Sequence, residues 1–263
     1  MGMEGSKTVV RQLTITPSPV NLDDINLTPS ALQAISSHGP QKANDASTGW
    51  VYENRRQIQQ VLSFLYLGPT SALRGGQFIK DNGITMILAV RNSNSPGAGF
   101  NIVDRLAEEL GLAKANVAVA SQWELARAFP VATAKVNEHL AQTGRKGKVL
   151  VVCETGNERS AAVVAAYIMT VYGTDLVTAV QFVGLKRFCA MFDEDSKIAL
   201  QVYGDILQAR RDVKGVVSVP AQEDRVDSGK RRADELSTDD DEEMVVDEER
   251  YIERGFVPFV ERR

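Results

Sequence analysis

Residues 149–172 constrain this chain more tightly than any other stretch. They open on the apolar β-branched run Val149-Leu150-Val151-Val152, cross a short polar turn, and end in the Ala-rich apolar run that leads to Tyr172. The first part reads as a buried strand and the last as a buried helix. A strand that turns directly into a helix leaves backbone N–H groups converging on one small space at the positive end of the helix dipole, which is an anion site. Cys153 stands at the strand end and Arg159 at the helix start, with Ser160 next to it. The Cys-x5-Arg-Ser spacing lets the intervening residues arch over one pocket, and phosphate is the anion it suits.

The residue types explain the spacing. A thiol in a nest of N–H groups beside an Arg is expected to have a lowered pKa and to act as a thiolate nucleophile towards phosphorus. Arg159 supplies a planar fork for two phosphate oxygens, and the Ser160 hydroxyl can donate to the sulfur as it leaves. Glu154, Thr155, Gly156, Asn157 and Glu158 complete the candidate phosphate-binding loop. The bland alternative is a structural Cys after a core strand with Arg159 in a surface ion pair. Gly156 in mid-loop, Ser160 after the Arg, and the flanking strand and helix favour the phosphate loop.

The segment resembles the loop of the cysteine-dependent dual-specificity protein phosphatases. Phe64-Leu65-Tyr66-Leu67-Gly68-Pro69 resembles that family's first strand and turn. Gly83-Ile84-Thr85-Met86-Ile87-Leu88 resembles its helix-to-strand step, and Gly184-Leu185-Lys186-Arg187-Phe188-Cys189 its basic segment after the loop. Tyr52-Glu53-Asn54-Arg55-Arg56-Gln57-Ile58-Gln59 is most similar to the serine/threonine/tyrosine-interacting branch, whose best-known members are pseudophosphatases. The likeness covers about residues 50 to 212.

What the resemblance implies is qualified by departures. The family's His before the Cys is replaced by Val152. Its general-acid Asp falls at or near Val119 when matched on Leu125 and Phe129-Pro130, and Ala115 to Gln122 contain no carboxylate. General acid catalysis is typically worth about two to four orders of magnitude. The family's Pro-Asn-x-Gly-Phe element is absent from Met191 to Ser196. Glu154 and Glu158 place carboxylates beside a site meant for a dianion, at a cost of roughly 1 to 3 kcal/mol each if they face it. Glu158 has two other uses, pairing with Arg159 or capping the helix start.

The rest of the chain supplies the frame. Hydrophobic residues make up 43% of the 263 residues, enough for one soluble domain plus extensions. The expected class is α/β, a dual-specificity-phosphatase-like domain over residues 50–212 with a central, mainly parallel sheet flanked by helices. A flexible arm is expected over 1–49 and a disordered acidic tail over 213–263. Strands are expected near Phe64 to Leu67, Thr85 to Val90, Asn116 to Ala120 and Val149 to Val152. Helices are expected near Ser71 to Asn82, Glu124 to Gln142, Arg159 to Tyr172, Asp175 to Lys186 and Glu194 to Arg211, with Thr174 as an N-cap. Asn92 to Gly99 reads as a loop. In the arm, Thr28 with Pro29 predicts the cap and first turn of one short helix.

Two cysteines and two histidines, scattered, predict no metal centre and no cofactor. His139 reads as a solvated residue late in its helix. Cys189 reads as an ordinary buried thiol or, alternatively, as a redox partner of Cys153. No apolar run reaches membrane-spanning length and no secretory leader opens the sequence, so a cytoplasmic or nuclear location is expected. Met1-Gly2-Met3-Glu4-Gly5-Ser6 matches the loose myristoylation pattern. Up to residue 220 the charge is nearly balanced, against nucleic-acid binding. Lys186-Arg187 and Arg210-Arg211 offer a rim for acidic phosphopeptides or else solvated helix faces. The tail carries the acidic surplus, with Ser237 and Thr238 before an acidic run suited to an acidophilic kinase, Lys230-Arg231-Arg232 as a weak nuclear-import candidate, and an apolar end from Tyr251 to Val260.

Three functions fit. One is a pseudophosphatase that recognises phosphorylated proteins. Another is a phosphatase that works through a cysteinyl-phosphate on Cys153. The third is an interaction protein whose loop binds nothing.

Overall fold

The computed structural model describes residues 12–45, 47, 49–94, 100–121 and 124–217. The myristoylation pattern, most of the Asn92 to Gly99 loop and the tail features around Lys230, Ser237, Thr238 and Tyr251 lie outside the described residues.

Five strands form the central sheet: β3 (Gln59–Leu62), β4 (Leu65–Pro69), β5 (Met86–Asn92), β6 (Ala113–Val119) and β7 (Val149–Cys153), in the order β3-β4-β7-β5-β6. β3 and β4 make an antiparallel hairpin, and every other pairing is parallel. β7 therefore runs between β4 and β5, and all five of its residues are buried. A strand covered on both faces must be apolar on both, which is why its sequence does not alternate.

Side-chain direction sorts the core into two layers. Val149, Val151 and Cys153 face one cluster with Met86, Leu88 and Val90, covered by α4 (Leu125–Thr143) and α5 (Arg159–Tyr172). Leu150 and Val152 face the other with Ile87 and Ala89, covered by α2 (Gln77–Asn82) and α3 (Asn101–Leu110). Every residue of α5 after Arg159 is buried. An Ala-rich helix apolar on all sides suits that place, because small side chains let sheet and helices close on it from each direction. α6 (Leu176–Lys186) and α7 (Glu194–Val217) complete that layer.

Residues 12–44 depart from the expected flexible arm. β1 (Gln12–Ile15) pairs antiparallel with β2 (Gln41–Asn44), and α1 (Pro29–Ser36) lies between them in sequence. The α1 cap is as the sequence implies, with the Thr28 hydroxyl accepting from the Ala31 N–H at 3.2 Å. Leu27, Ala31, Ile35 and Ala43 are buried in the main cluster. The segment's polar groups find partners far along the chain. The Asn21 amide donates to the Thr170 carbonyl at 2.7 Å, and the Ser18 N–H to the Val171 carbonyl at 2.9 Å. Such partners are invisible to local periodicity, so a Ser/Thr/Asn-rich stretch reads as loose when it is fastened.

Smaller differences have local causes. α3 was not expected, although its hydrophobic positions Val103, Leu106 and Ala107 share one face. Residues 70–73 form a separate 3-10 turn before α2, because Gly75 and Gly76 adopt positive φ and break the run. Asp175, not Thr174, caps α6, its carboxylate accepting from the Thr178 N–H at 2.7 Å. α7 extends five residues past the expected domain limit at 212. No described helix is long and apolar enough to cross a membrane.

Candidate active site

The site forms at the carboxyl end of β7, where a parallel sheet leaves its crevice. Cys153 ends the strand, 2% exposed, and Arg159 begins α5. Between them the chain passes against the end of β4. Gly156 has φ +72°, and a Cβ there would lie 2.4 Å from the Gly68 carbonyl carbon and the Pro69 nitrogen. Only glycine permits both the left-handed backbone and that approach. This close packing brings the Gly156 N–H to the Cys153 sulfur.

The Cys153 sulfur accepts from the Gly156 N–H at 3.2 Å and from the Ser160 hydroxyl at 3.0 Å, and lies 3.9 Å from Thr155 Oγ1. Thr155 Oγ1 also accepts from the Asn157 N–H at 3.2 Å. The hydroxyl on α5 is placed to follow the sulfur through a displacement.

Arg159 is engaged by the loop itself. Its Nη1 donates to Glu154 Oε2 at 2.8 Å, with both side chains largely covered. Glu154 is thus an internal anion in the fork expected to hold phosphate. The alternative of a Glu158 pair is not the one observed. The Glu158 carbonyl accepts from the Ala162 N–H in the first helical turn.

Arg187 departs most from expectation. It is not on a rim but 1% exposed, among the largest fully buried side chains. Its Nε donates to the Gly156 carbonyl at 2.9 Å, Nη1 to the Gln57 carbonyl at 2.9 Å, and Nη2 to the Arg55 carbonyl at 2.9 Å and Asn157 Oδ1 at 2.8 Å. Burial pulls its pKa down, while the Cys189 and Cys153 thiols nearby pull it back up. Guanidinium stays charged at neutral pH, so a fixed cation sits beneath the loop. Asn157 is correspondingly a brace. It is 5% exposed, and its carbonyl accepts from the Met191 N–H at 2.7 Å. The turn from Arg187 to Met191 thereby supports the loop from the side where the Pro-Asn-x-Gly-Phe element is missing.

Other expected positions fall elsewhere. Arg210 pairs with Asp24 at 2.8 Å and Arg211 bonds Asn21 at 3.3 Å, so both tie α7 to the N-terminal segment. His139 is buried, with Nε2 2.7 Å from Thr85 Oγ1, and desolvation lowers its pKa. Cys189 and Cys153 are both free thiols, and Cys189 is half-buried. Among the described residues no group of His, Cys, Asp or Glu is arranged to hold a metal ion.

The position matched to the general acid is occupied by a core residue. Val119 ends β6 at 2% exposure, packed in the main cluster. Beyond it the Glu124 carboxylate closes the turn by accepting from the Ala120 N–H at 2.7 Å. Val152 is likewise buried in the opposite layer, with Ile58 and Ala89.

This geometry agrees with comparison to known proteins. Residues 65–204 match the family model described as dual specificity phosphatase, catalytic domain. Serine/threonine/tyrosine-interacting protein A of Xenopus laevis is 31% identical over 200 residues, spanning 74% of this chain and 86% of that protein. The human serine/threonine/tyrosine-interacting protein is 33% identical over 173 residues, 65% of this chain and 74% of its own. The crystal structure of the human tyrosine phosphatase-like serine/threonine/tyrosine-interacting protein superposes with a TM-score of 0.48 at 30% identity, covering 58% of this chain and 99% of that one. With the family model matching more than half its length, and with the strand, thiol, five-residue arch and helix-starting arginine in sequence order at the end of β7, the chain belongs to the dual-specificity phosphatase family.

Proposed function

We propose that the protein recognises phosphorylated proteins through the Cys153–Arg159 loop and hydrolyses them slowly or not at all. The observation that carries this reading is the burial of Val119. At the position matched to the family's general-acid Asp an apolar side chain is packed into the core, while Cys153, Arg159 and Ser160 are kept. The Gly156 N–H, the Arg159 fork and the fixed Arg187 cation supply phosphate affinity without requiring chemistry. The Glu154 pair adds a cost to entry, since an arriving phosphate must displace a carboxylate.

The relatives named as serine/threonine/tyrosine-interacting are consistent with a binding role. A second reading, slow hydrolysis through a cysteinyl-phosphate, is favoured by the two hydrogen bonds on the Cys153 sulfur. Single-turnover assay on an activated aryl phosphate and on phosphothreonine peptides distinguishes them, because a good leaving group needs no acid. The proposal expects slow aryl phosphate cleavage at most, and phosphopeptide binding without release of phosphate. Brisk phosphothreonine hydrolysis contradicts it.

A further inference from the structure

Large apolar side chains stand exposed beside the Cys153 loop. Tyr52 is 57%, Phe188 53% and Met191 57% exposed. Trp50 is half-buried, with its ring 5.3 Å from that of Phe188. The Arg55 guanidinium lies 4.8 Å from the Tyr52 ring centroid, which holds that ring in place. Single exposed apolar residues are ordinary, but a cluster at the mouth of a polar site marks an interaction surface.

The cluster is also built into the site. Its residues come from two turns far apart in sequence, 50–56 and 187–191. Arg187 fastens the first turn to the loop through the Arg55 and Gln57 carbonyls and the second by its own place in the chain, while bonding Gly156 and Asn157. The Met191 N–H on the Asn157 carbonyl adds another tie. The aromatic wall and the phosphate loop are therefore held in register by one buried cation.

Between them lies a cavity of about 230 Å³, with Thr155, Asn157 and Glu158 on its loop side. That is below the roughly 300–1,000 Å³ of whole small-molecule sites and suits one side chain. Glu158 and Arg55 both line it, so its charged residues balance and the rest of its wall, with Trp50, Tyr52, Phe188 and Met191, favours an apolar occupant.

The geometry points to a specificity pocket: it receives one apolar or aromatic side chain of a phosphoprotein, from within two positions of the phosphorylated residue, while the loop holds the phosphate. In an extended segment, side chains two apart share a face at about 7 Å, which sets the positions to be tested. This inference rests on the phosphate-recognition reading of the loop.

The test is fluorescence anisotropy of the full chain with phosphothreonine peptides. Serine fills every position within two of the phosphoresidue, or one of these is replaced by Leu or Phe. The best-placed Phe or Leu should tighten binding roughly tenfold over Ser, the size expected for burying one apolar side chain. Tyr52→Ser with Phe188→Ser should remove that gain while leaving the all-Ser peptide within about twofold, as surface substitutions do. An unchanged urea midpoint in that variant excludes misfolding. Equal affinities across the series, with inorganic phosphate still competing, overturn the pocket and leave the loop reading intact. Failure of phosphate to compete, or equal binding of unphosphorylated Phe peptides, overturns the loop reading and the pocket with it.

Discussion

The Glu154 carboxylate and the Arg159 guanidinium meet at 2.8 Å across the phosphate loop. One nitrogen of the Arg159 fork is thus held by an anion of the loop itself. Replacing Glu154 by Gln removes the competing charge and its repulsion of an arriving dianion. Affinity for phosphopeptides should rise about tenfold, corresponding to about 1.4 kcal/mol. Calorimetric titration of the wild type and Glu154→Gln with one phosphopeptide measures this, and equal constants would show that the pair does not gate the site.

Arg187 carries a structural prediction. Truncation to Ala removes donors from the Gly156, Gln57 and Arg55 carbonyls and from Asn157 Oδ1 together. Buried acceptors left without partners cost about 1–3 kcal/mol each, so a loss of at least 3 kcal/mol is expected. Arg187→Lys should rescue little, because an ammonium cannot reproduce a planar fork. Urea unfolding of the three proteins provides the comparison, and a Lys variant at wild-type stability would contradict it.

Two substitutions that would place a carboxylate at or beside the position matched to the family's general acid differ in cost. Val119→Asp buries a carboxylate in an apolar cluster and should destabilise the fold by about 3 kcal/mol or more. Ala120 is half-buried beside the turn closed by Glu124, so Ala120→Asp should stay within about 1 kcal/mol of wild type. If the missing acid limits turnover, Ala120→Asp raises phosphothreonine hydrolysis more than aryl phosphate hydrolysis. Parallel stopped assays on both substrates check this, and an equal change on the two would implicate another step.

His139 links stability to pH. Burial lowers its folded pKa below the ordinary 6.5, so the folded protein resists protonating it. The stability tied to its neutral form is fully present above 6.5 and is lost as pH falls from there through the lowered value. His38, lowered by desolvation and by Arg145 and Lys148, acts in the same direction. Urea midpoints should therefore fall on acidification below 6.5, and His139→Gln should flatten part of that slope. A slope unchanged in the variant would assign it to other groups.

Legibility in the sequence followed the range of the interactions. The stretch from Val149 to Tyr172 announced itself because strand, turn and helix are consecutive and each carries its own local pattern. The α1 cap at Thr28 and Pro29 was readable for the same reason. Arg187 was not, since its partners lie 30 to 132 residues away and a Lys-Arg pair at a helix end ordinarily faces solvent. The N-terminal segment was misread because its apolar residues are sparse and its polar ones are satisfied on α5. The Glu154 pair was obscured by a plausible competitor, Glu158, whose carboxylate is nearer to Arg159 in sequence.

The most direct test of the central claim follows binding and phosphate release on one sample. The wild-type chain and its Arg159→Ala and Cys153→Ser variants are titrated with a phosphothreonine peptide while free phosphate is monitored over the same interval. Wild type and Cys153→Ser should capture the peptide saturably and release no stoichiometric phosphate, and Arg159→Ala should lose capture as the oxyanion loses its fork. Repeated turnover by the wild type, or capture unchanged in Arg159→Ala, would contradict the account.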